Sequence, residues 1–372
     1  MTRGAAPATP AGVQTPLRRG WTTGSCATAA AKAAATALLC GEFPDPVDIP
    51  LPGGARAAFA LAETSLGAAS AMAAVVKDAG DDPDVTHGAL IRATVSRGSQ
   101  GSGITFRAGE GVGTVTRPGL ALAPGEPAIN PVPRQMIRAA LAEAGAADMT
   151  VEIAIPGGER LAEKTLNGRL GIVGGLSVLG TTGVVVPYSC AAWIDTIHRG
   201  IDVARASGLD HVAGATGRVS EDAVRALHGL SDVALLEMGD FVGGMLKYLR
   251  RHPVARVTVA GGVGKMTKLA QGRLDLHSKR GAADMQALGE LAARHGGAAA
   301  RVAAANTVAE AFALAGGGLG DAIAAEAWTV AAAALRPAAI ALEVVLFDRA
   351  GALVGRAPFA DVAHAPDLNR RR

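Results

Sequence analysis

The sequence predicts a mixed α/β and α+β protein of two domains, with an α+β domain over residues 17–160 and a parallel-sheet domain over 161–350. Three observations carry this prediction. The chain has 372 residues, 49% of them hydrophobic, ample for a core and more than one domain usually needs. From about residue 190, apolar strand-like runs alternate with helical stretches, the pattern of a parallel sheet with crossover helices. Near residue 160 the character of the chain changes from short, glycine-rich extended pieces to this regular alternation.

Taken in order, residues 1–16 lack the apolar stretch of a signal peptide and read as a disordered lead-in. TTGSCA, residues 22–27, opens directly into an Ala-rich run, which predicts a helix over 27–40. A strand is expected at 55–62 after the PLPGG turn. Residues 68–76 fit either a strand or a helix start, and 90–96 alternates as a strand does. Residues 101–119 are extended, with strand pieces such as 113–116. Pro127, Pro131 and Pro133 stiffen a loop that leads into a helix over about 133–144, with Pro133 in its first turn. A strand follows at 151–155. The second half predicts short apolar pieces at 170–173 and 184–186, with GGLSVLGTTG (174–183) between them. It then predicts helices at 190–206, 220–228 and 241–251, and strands at 211–215, 233–237, 256–260 and 339–347. Two helices are expected within 281–313 and a tail over 351–372.

Composition excludes several classes. The net charge is only +3, no long basic block is present and aromatics are 3%, so nucleic-acid binding has no support. The Ala-rich runs are too short or too interrupted to span a membrane. Cys26, Cys40 and Cys190 have no regular spacing, which gives neither a disulfide framework nor a metal knuckle. A reducing, cytoplasmic setting fits best.

Several polar constellations stand out. Thr22, Thr23, Gly24 and Ser25 form a helix start with unpaired N–H groups, suited to an anion or carboxylate. GTTG (180–183) repeats the motif, either cradling a cofactor's polar end or making a glycine-rich crossover. GGVGK (261–265) follows a strand and is either an anion-holding glycine nest (Gly261, Gly262, Gly264) or a tight turn with one exposed lysine. Met266 after the lysine rules out a P-loop. Glu237 and Asp240 flank Gly239 at a strand end, where an acid accepts from ribose hydroxyls or caps the next helix. Residues 77–88, KDAGDDPDVTHG, gather Lys77, Asp78, Asp81, Asp82, Asp84 and His87, either acid/base machinery or Mg²⁺ ligands, or a solvated acidic loop. Arg97, Arg107 and Arg117 lie among glycines, as carboxylate clamps or as ordinary surface arginines. Cys26, at a helix start, is a nucleophile only with a partner that spacing does not supply. His87 and His277 are the better general bases.

Seven blocks together resemble the cobalt-precorrin-5B C1-methyltransferase family of cobalamin biosynthesis. They are RRGWTTGSCATAAAKAA (18–34), VVKDAGDDPDVTHG (75–88), GEGVGTVTRPGL (109–120), GEPAINPVPRQMI (125–137), NGRLGIVGGLSVLGTTGVV (167–185), ALLEMGDFVGG (234–244) and AGGVGKMTKLAQGRLDLHS (260–278). The resemblance spans about 18–350. It implies methyl transfer from S-adenosylmethionine to C1 of cobalt-precorrin-5B, with an N-terminal α/β sandwich-like domain and a C-terminal Rossmann-like domain. By this resemblance Gly180, Thr181, Thr182, Glu237, Asp240, Gly261, Gly262 and Gly264 serve the methyl donor. Thr22, Thr23, Gly24, Ser25, Lys77, Arg97, Arg107 and Arg117 receive the carboxylates of a small-molecule tetrapyrrole. Asp78, Asp82, His87 and His277 handle protons. Cobalt belongs to the substrate, and no protein metal site is expected. Transient contact with neighbouring pathway enzymes is also implied, whereas the oligomeric state is not encoded in any readable way. Two other classes compete: a nucleotide- or phosphate-binding enzyme using Gly261–Lys265, and a non-enzymatic corrinoid carrier.

Overall fold

A computed structural model describes residues 16–315 and 318–364. The chain divides into two compact units. One holds the residues up to Gly113 together with Pro127–Thr165 and Gly174–Ser189, and the other holds Thr114–Glu126, Leu166–Val173 and the chain from Cys190 onward. The expected boundary at 160 is therefore not where the chain divides. Residues 174–189 return to the first unit because Val184–Val185 pairs with Gly20–Trp21, and Leu176 and Val178 bridge Val112 and Ile129. Local periodicity carries no trace of such returns.

In the first unit a five-stranded sheet runs Glu63–Leu66, Ser70–Val76, Leu90–Arg97, Met149–Ala154, Ile104–Ala108, antiparallel except for the last pair. Of residues 68–76, those from 70 onward thus resolve as strand. Alternation decides the faces: Ile91, Ala93, Val95, Val151 and Ile153 are buried, with Thr94, Ser96, Thr150 and Glu152 between them on the other face. The helix Thr23–Cys40 packs on the apolar face and beside the helix Pro131–Glu143. Its alanines from Ala27 to Ala35 are fully buried, which lets the backbone approach closely on nearly all sides. The second helix begins at Pro131 rather than 133, with Pro at its first position.

The second unit holds a five-stranded sheet in the order Leu235–Glu237, His211–Ala215, Arg256–Gly262, Ala341–Phe347, Leu353–Asp361. The first four strands are parallel and the last is antiparallel. Numbered along the chain, that order is 2-1-3-4-5. One face buries Val212, Leu236, Val257, Val259 and Val344 under the helices Cys190–Ala206, Val242–Arg251 and Leu319–Leu335. The other buries Ala213, Leu235, Ala260 and Val345 with Val224 of the helix Arg218–His228. Burial on both faces explains why these strands read as continuous apolar runs.

Two expectations change here. Residues 281–313 form parts of three helices, Met285–Arg294, Ala299–Ala303 and Val308–Ala315, rather than two. Gly296 at φ +76° breaks the first, and the Thr307 hydroxyl accepts the Glu310 N–H at 3.1 Å to start the third. Residues 353–361 of the expected tail are the edge strand of the sheet, where Pro358 is tolerated; residues 365–372 lie outside the described residues, as do 1–15 of the expected lead-in. A buried polar network anchors this edge strand, in which the Glu343 carboxylate accepts from Arg356 Nε at 2.8 Å and from the Thr258 hydroxyl at 2.9 Å and lies 2.6 Å from His228 Nε2. His211, beside it, is pushed down to about 4, chiefly by burial. No helix among the described residues is long and apolar enough to cross a membrane.

Gly320 lies so close to the edge strand that a Cβ there would fall 1.7 Å from the Val354 carbonyl oxygen. Gly320→Ala is expected to lower stability by about 2–3 kcal/mol through overpacking, read as a lower urea midpoint with the chain still folded. An unchanged midpoint would show that the strand does not depend on this approach.

Candidate functional site

In the first unit, the helix start at 22–25 is not an open anion site. The Thr22 hydroxyl accepts the Ser25 N–H at 3.2 Å, as an N-cap does. The Gly24 N–H goes to the Leu179 carbonyl at 2.9 Å and the Ser25 hydroxyl to the Gly183 carbonyl at 2.7 Å. Thr22, Thr23 and Ser25 are buried. GTTG is the partner of this start. Gly180 presses on Thr22, with a Cβ position 2.3 Å from its hydroxyl oxygen, and Thr181 and Thr182 are exposed. Gly180, Thr181 and Thr182 therefore belong to the first unit, and the other expected donor-binding residues belong to the second. Cys26 is fully buried, and burial pushes its thiol up to about 12, so it stays protonated.

The acidic loop is fastened rather than solvated. Arg18 grips both carboxylate oxygens of Asp78, Nη2 at 2.9 Å from Oδ1, and Gly80 N–H donates to the same oxygen at 2.9 Å. Those bonds hold the Asp78 carboxyl down at about 2. Asp78 is therefore ionised at neutral pH and donates no proton. Asp81 accepts the Arg18 N–H at 2.6 Å, and Asp82 accepts the Tyr188 N–H at 2.8 Å. Lys77 is 1% exposed and pairs with Asp84 at 2.5 Å, so it offers no surface cation. Burial raises the Asp84 carboxyl, but Lys77 and Thr86 outweigh it and hold the group below its usual range. His87 differs. Its Nδ1 accepts the Ala79 N–H at 3.1 Å, which places the proton of the neutral ring on the other nitrogen, and the side chain is half exposed.

Arg97 and Arg107 do not converge. Arg97 ends its strand in the register of the buried face, whereas Arg107 lies on the opposite face beside Glu152. Arg117 is in the second unit, its stem over Gly171.

In the second unit, the carboxyl ends of three neighbouring parallel strands meet. Order 2-1-3 reverses the chain's direction of travel at His211–Ala215, and a crevice at such a reversal is where open α/β sheets bind ligands. The helix Val263–Ala270 starts immediately after its strand, so GGVGK is a strand-to-helix junction. Gly261 is required by packing, since a Cβ would fall 2.6 Å from Met266 Sδ and 2.8 Å from Thr216 Oγ1. Gly264 has open space at that position, and Gly262 meets only the Phe347 oxygen at 4.0 Å. Lys265 is not free: Nζ donates to the Thr216 carbonyl at 2.9 Å and pairs with Asp240 Oδ1 at 3.1 Å. That Asp240 oxygen is buried and without a hydrogen bond. Asp240 is not a helix cap, because Phe241 occupies the N-cap of Val242–Arg251 with no side-chain capping bond. Glu237 is exposed at its strand end. His277 follows Leu276, whose N–H bonds the Asp240 carbonyl at 2.9 Å, and its Nδ1 accepts the Lys279 N–H at 3.1 Å.

Sequence reasoning gave no role to Arg18 or Trp193. Trp193 is 45% exposed, donates from Nε1 to the Glu237 carbonyl at 3.0 Å and has its ring against Gly239. The adjacency of Arg18 to TTGSCA was a usable signal; nothing local marks Trp193. Among the described residues no group of three His, Cys, Asp or Glu side chains forms a metal cluster.

Comparison with known proteins adds identity to this geometry. The CbiD family model matches residues 11–187, and the model of the CbiD C-terminal domain matches 275–358. A cobalt-precorrin-5B C(1)-methyltransferase of Agrobacterium fabrum is 63% identical, over 95% of this chain and 98% of its own. One of Halorhodospira halophila is 62% identical, over 93% and 96%. A crystal structure of the cobalamin biosynthesis protein (cbiD) from Archaeoglobus fulgidus is 28% identical and covers 71% of this chain and 83% of its own, with a TM-score of 0.38, too low to bear on the fold.

The depressed Asp78 carboxyl contributes to an acid limb, beside Glu143, which Arg56 and Lys32 also hold down at about 2. Its folded value, about 2, lies below the ordinary 3.8, so the Arg18–Asp78 contribution is present above about pH 4 and is lost as pH falls towards 2. Asp78→Asn is expected to destabilise the chain at pH 7 and to make the stability curve shallower between pH 4 and 2, measured by denaturant unfolding. An acid limb as steep as the wild type's would rule out this pair as its source.

Proposed function

The chain belongs to the CbiD family, and on that premise we propose that it is a cobalt-precorrin-5B C1-methyltransferase, moving a methyl group from S-adenosylmethionine to C1 of the macrocycle to give cobalt-precorrin-6A. The observation that carries this reading is identity of 63% over nearly the full length of a relative so named. The 2-1-3-4-5 strand order supports reading the second unit as a Rossmann-like donor domain, and the helix-covered sheet supports the first as a sandwich-like tetrapyrrole platform.

S-adenosylmethionine supplies a methyl group already activated on a sulfonium, so the transfer forms a carbon–carbon bond as the carbon–sulfur bond breaks and the electron pair stays on sulfur. The protein's task is then orientation and exclusion of water. The residues at the carboxyl edge fit this donor. Glu237 offers exposed acceptors for ribose hydroxyls, Asp240 lies beside it with Oδ1 paired to Lys265, and the glycines at 262 and 264 leave room at a helix start for a carboxylate tail. Lys265, tied to Thr216 and Asp240, holds the strand ends together, which disfavours the phosphate-binding alternative. Proton handling on the macrocycle falls to His87 or His277, whose Nδ1 atoms both accept backbone N–H groups. Thr181 and Thr182, exposed in the first unit, are assigned to the substrate side.

Calorimetry tests the donor assignment: S-adenosylhomocysteine should bind, and ATP and NAD should not. Glu237→Ala is expected to weaken S-adenosylhomocysteine by roughly 10- to 100-fold, the worth of a charge-assisted hydrogen bond, with tetrapyrrole binding unchanged. Equal loss of both ligands would indicate a folding defect. Absence of labelled methyl in the tetrapyrrole after a single turnover would instead identify a corrinoid carrier.

A further inference from the structure

Tyr188 is the one described non-glycine residue with a left-handed backbone, at φ +55°. Its side chain is also 67% exposed. A bulky residue in this region is strained, and an aromatic left largely in water gains little burial in return, so the surroundings must impose the conformation. They do so from two sides. The ribbon of Gly20–Trp21 with Val184–Val185 ends at Val185, and Pro187, two residues on, has no N–H to continue a ladder. The next N–H, that of Tyr188, is taken by the Asp82 carboxylate at 2.8 Å. Asp82 is itself held in a loop bonded to the same ribbon, through Arg18 N–H to Asp81 at 2.6 Å and Trp21 N–H to the Asp78 carbonyl at 2.7 Å. The stretch from 179 to 188 carries more of the same chemistry: Leu179 and Val186 are exposed apolar side chains, and Thr181 and Thr182 are exposed hydroxyls. Across the ribbon, next to Gly20, Arg19 is exposed and has no ion pair among the described residues.

An aromatic ring, aliphatic groups and an unpaired cation match a flat conjugated ligand with a carboxylate fringe, because its faces need apolar contact and its rim needs positive charge. We propose that Tyr188 contacts the tetrapyrrole macrocycle, its ring against the conjugated face, with Arg19 meeting a peripheral carboxylate and Asp82 acting as the positioning residue for Tyr188. This rests on the tetrapyrrole-methylating reading above.

The test uses the full chain, cobalt-precorrin-5B followed by its visible absorbance, S-adenosylhomocysteine by calorimetry, and thermal unfolding. Tyr188→Gly relieves the backbone strain, so its melting temperature should rise while tetrapyrrole affinity falls about tenfold, the scale of one aromatic contact, with S-adenosylhomocysteine unaffected. Tyr188→Phe should bind the tetrapyrrole as the wild type does. Asp82→Ala should reproduce the loss of tetrapyrrole affinity, and Asp82→Asn, whose amide oxygen still accepts the N–H, should restore it. Wild-type tetrapyrrole affinity in Tyr188→Gly overturns the proposal and leaves the methyltransferase reading standing. Loss in Tyr188→Phe equal to that in Tyr188→Gly overturns the stacking role, and a lower melting temperature with both ligands lost in Tyr188→Gly makes the ring structural. If the wild type itself binds neither ligand, the methyltransferase reading fails and the proposal with it.

Discussion

The first unit depends on a backbone contact that only glycine permits. A Cβ on Gly20 would stand 2.0 Å from the Ala79 carbonyl carbon, and one on Gly80 would stand 2.2 Å from the Arg18 carbonyl oxygen. Two glycines facing each other let residues 18–21 lie flush against the acidic loop. Everything nearby follows from that approach. Arg18 reaches Asp78, its N–H reaches Asp81, and Trp21 reaches the Asp78 carbonyl. The entry to the long helix is then fixed, and Thr22, Gly24 and Ser25 are presented to Leu179 and Gly183.

The acidic loop shows why a cluster of carboxylates is ambiguous until its partners are known. Asp78, Asp82 and Asp84 have the composition of acid/base machinery. In the fold, each is occupied by a fixed donor: a guanidinium, a backbone N–H, or a buried ammonium with a threonine. Charge-assisted bonds of this kind stabilise the ionised carboxylate, which makes Asp78 a fastening and a poor proton carrier. Burial has the opposite effect on Cys26, where the neutral form wins.

The second unit uses charge sparingly, at the sheet's carboxyl edge. A strand that passes directly into a helix presents free N–H groups, and Gly261 lets Met266 and Thr216 close beneath it. Lys265 ties two strand ends together, and Glu237 stays in solvent. The edge is rigid where it is packed and open where glycine leaves room, as a site that orients a ligand requires.

The strands at 211–215 and 256–260 and the helix at 190–206 were legible because burial of one or both faces imposes a period on the residues themselves. The parallel alternation, the glycine-rich strand end at 261–264 and the family resemblance were likewise present in the chain as a string. The edge strand 353–361 was not, since Pro358 and its mixed polarity resemble a tail until Gly320 packs against it. Nor were the partners of the polar groups. Arg18 meets Asp78 across 60 residues, Tyr188 meets Asp82 across 106, and Ser25 meets Gly183 across 158. The sequence by itself determined most of the elements, the sheet type in the second half and the kind of chemistry, because those follow from local periodicity and residue type. Only the tertiary structure decided which helix start is sealed, which carboxylates are fastened and which aromatic is held out, because a polar group's role is set by what lies within hydrogen-bond reach, and that neighbour comes from a distant part of the chain.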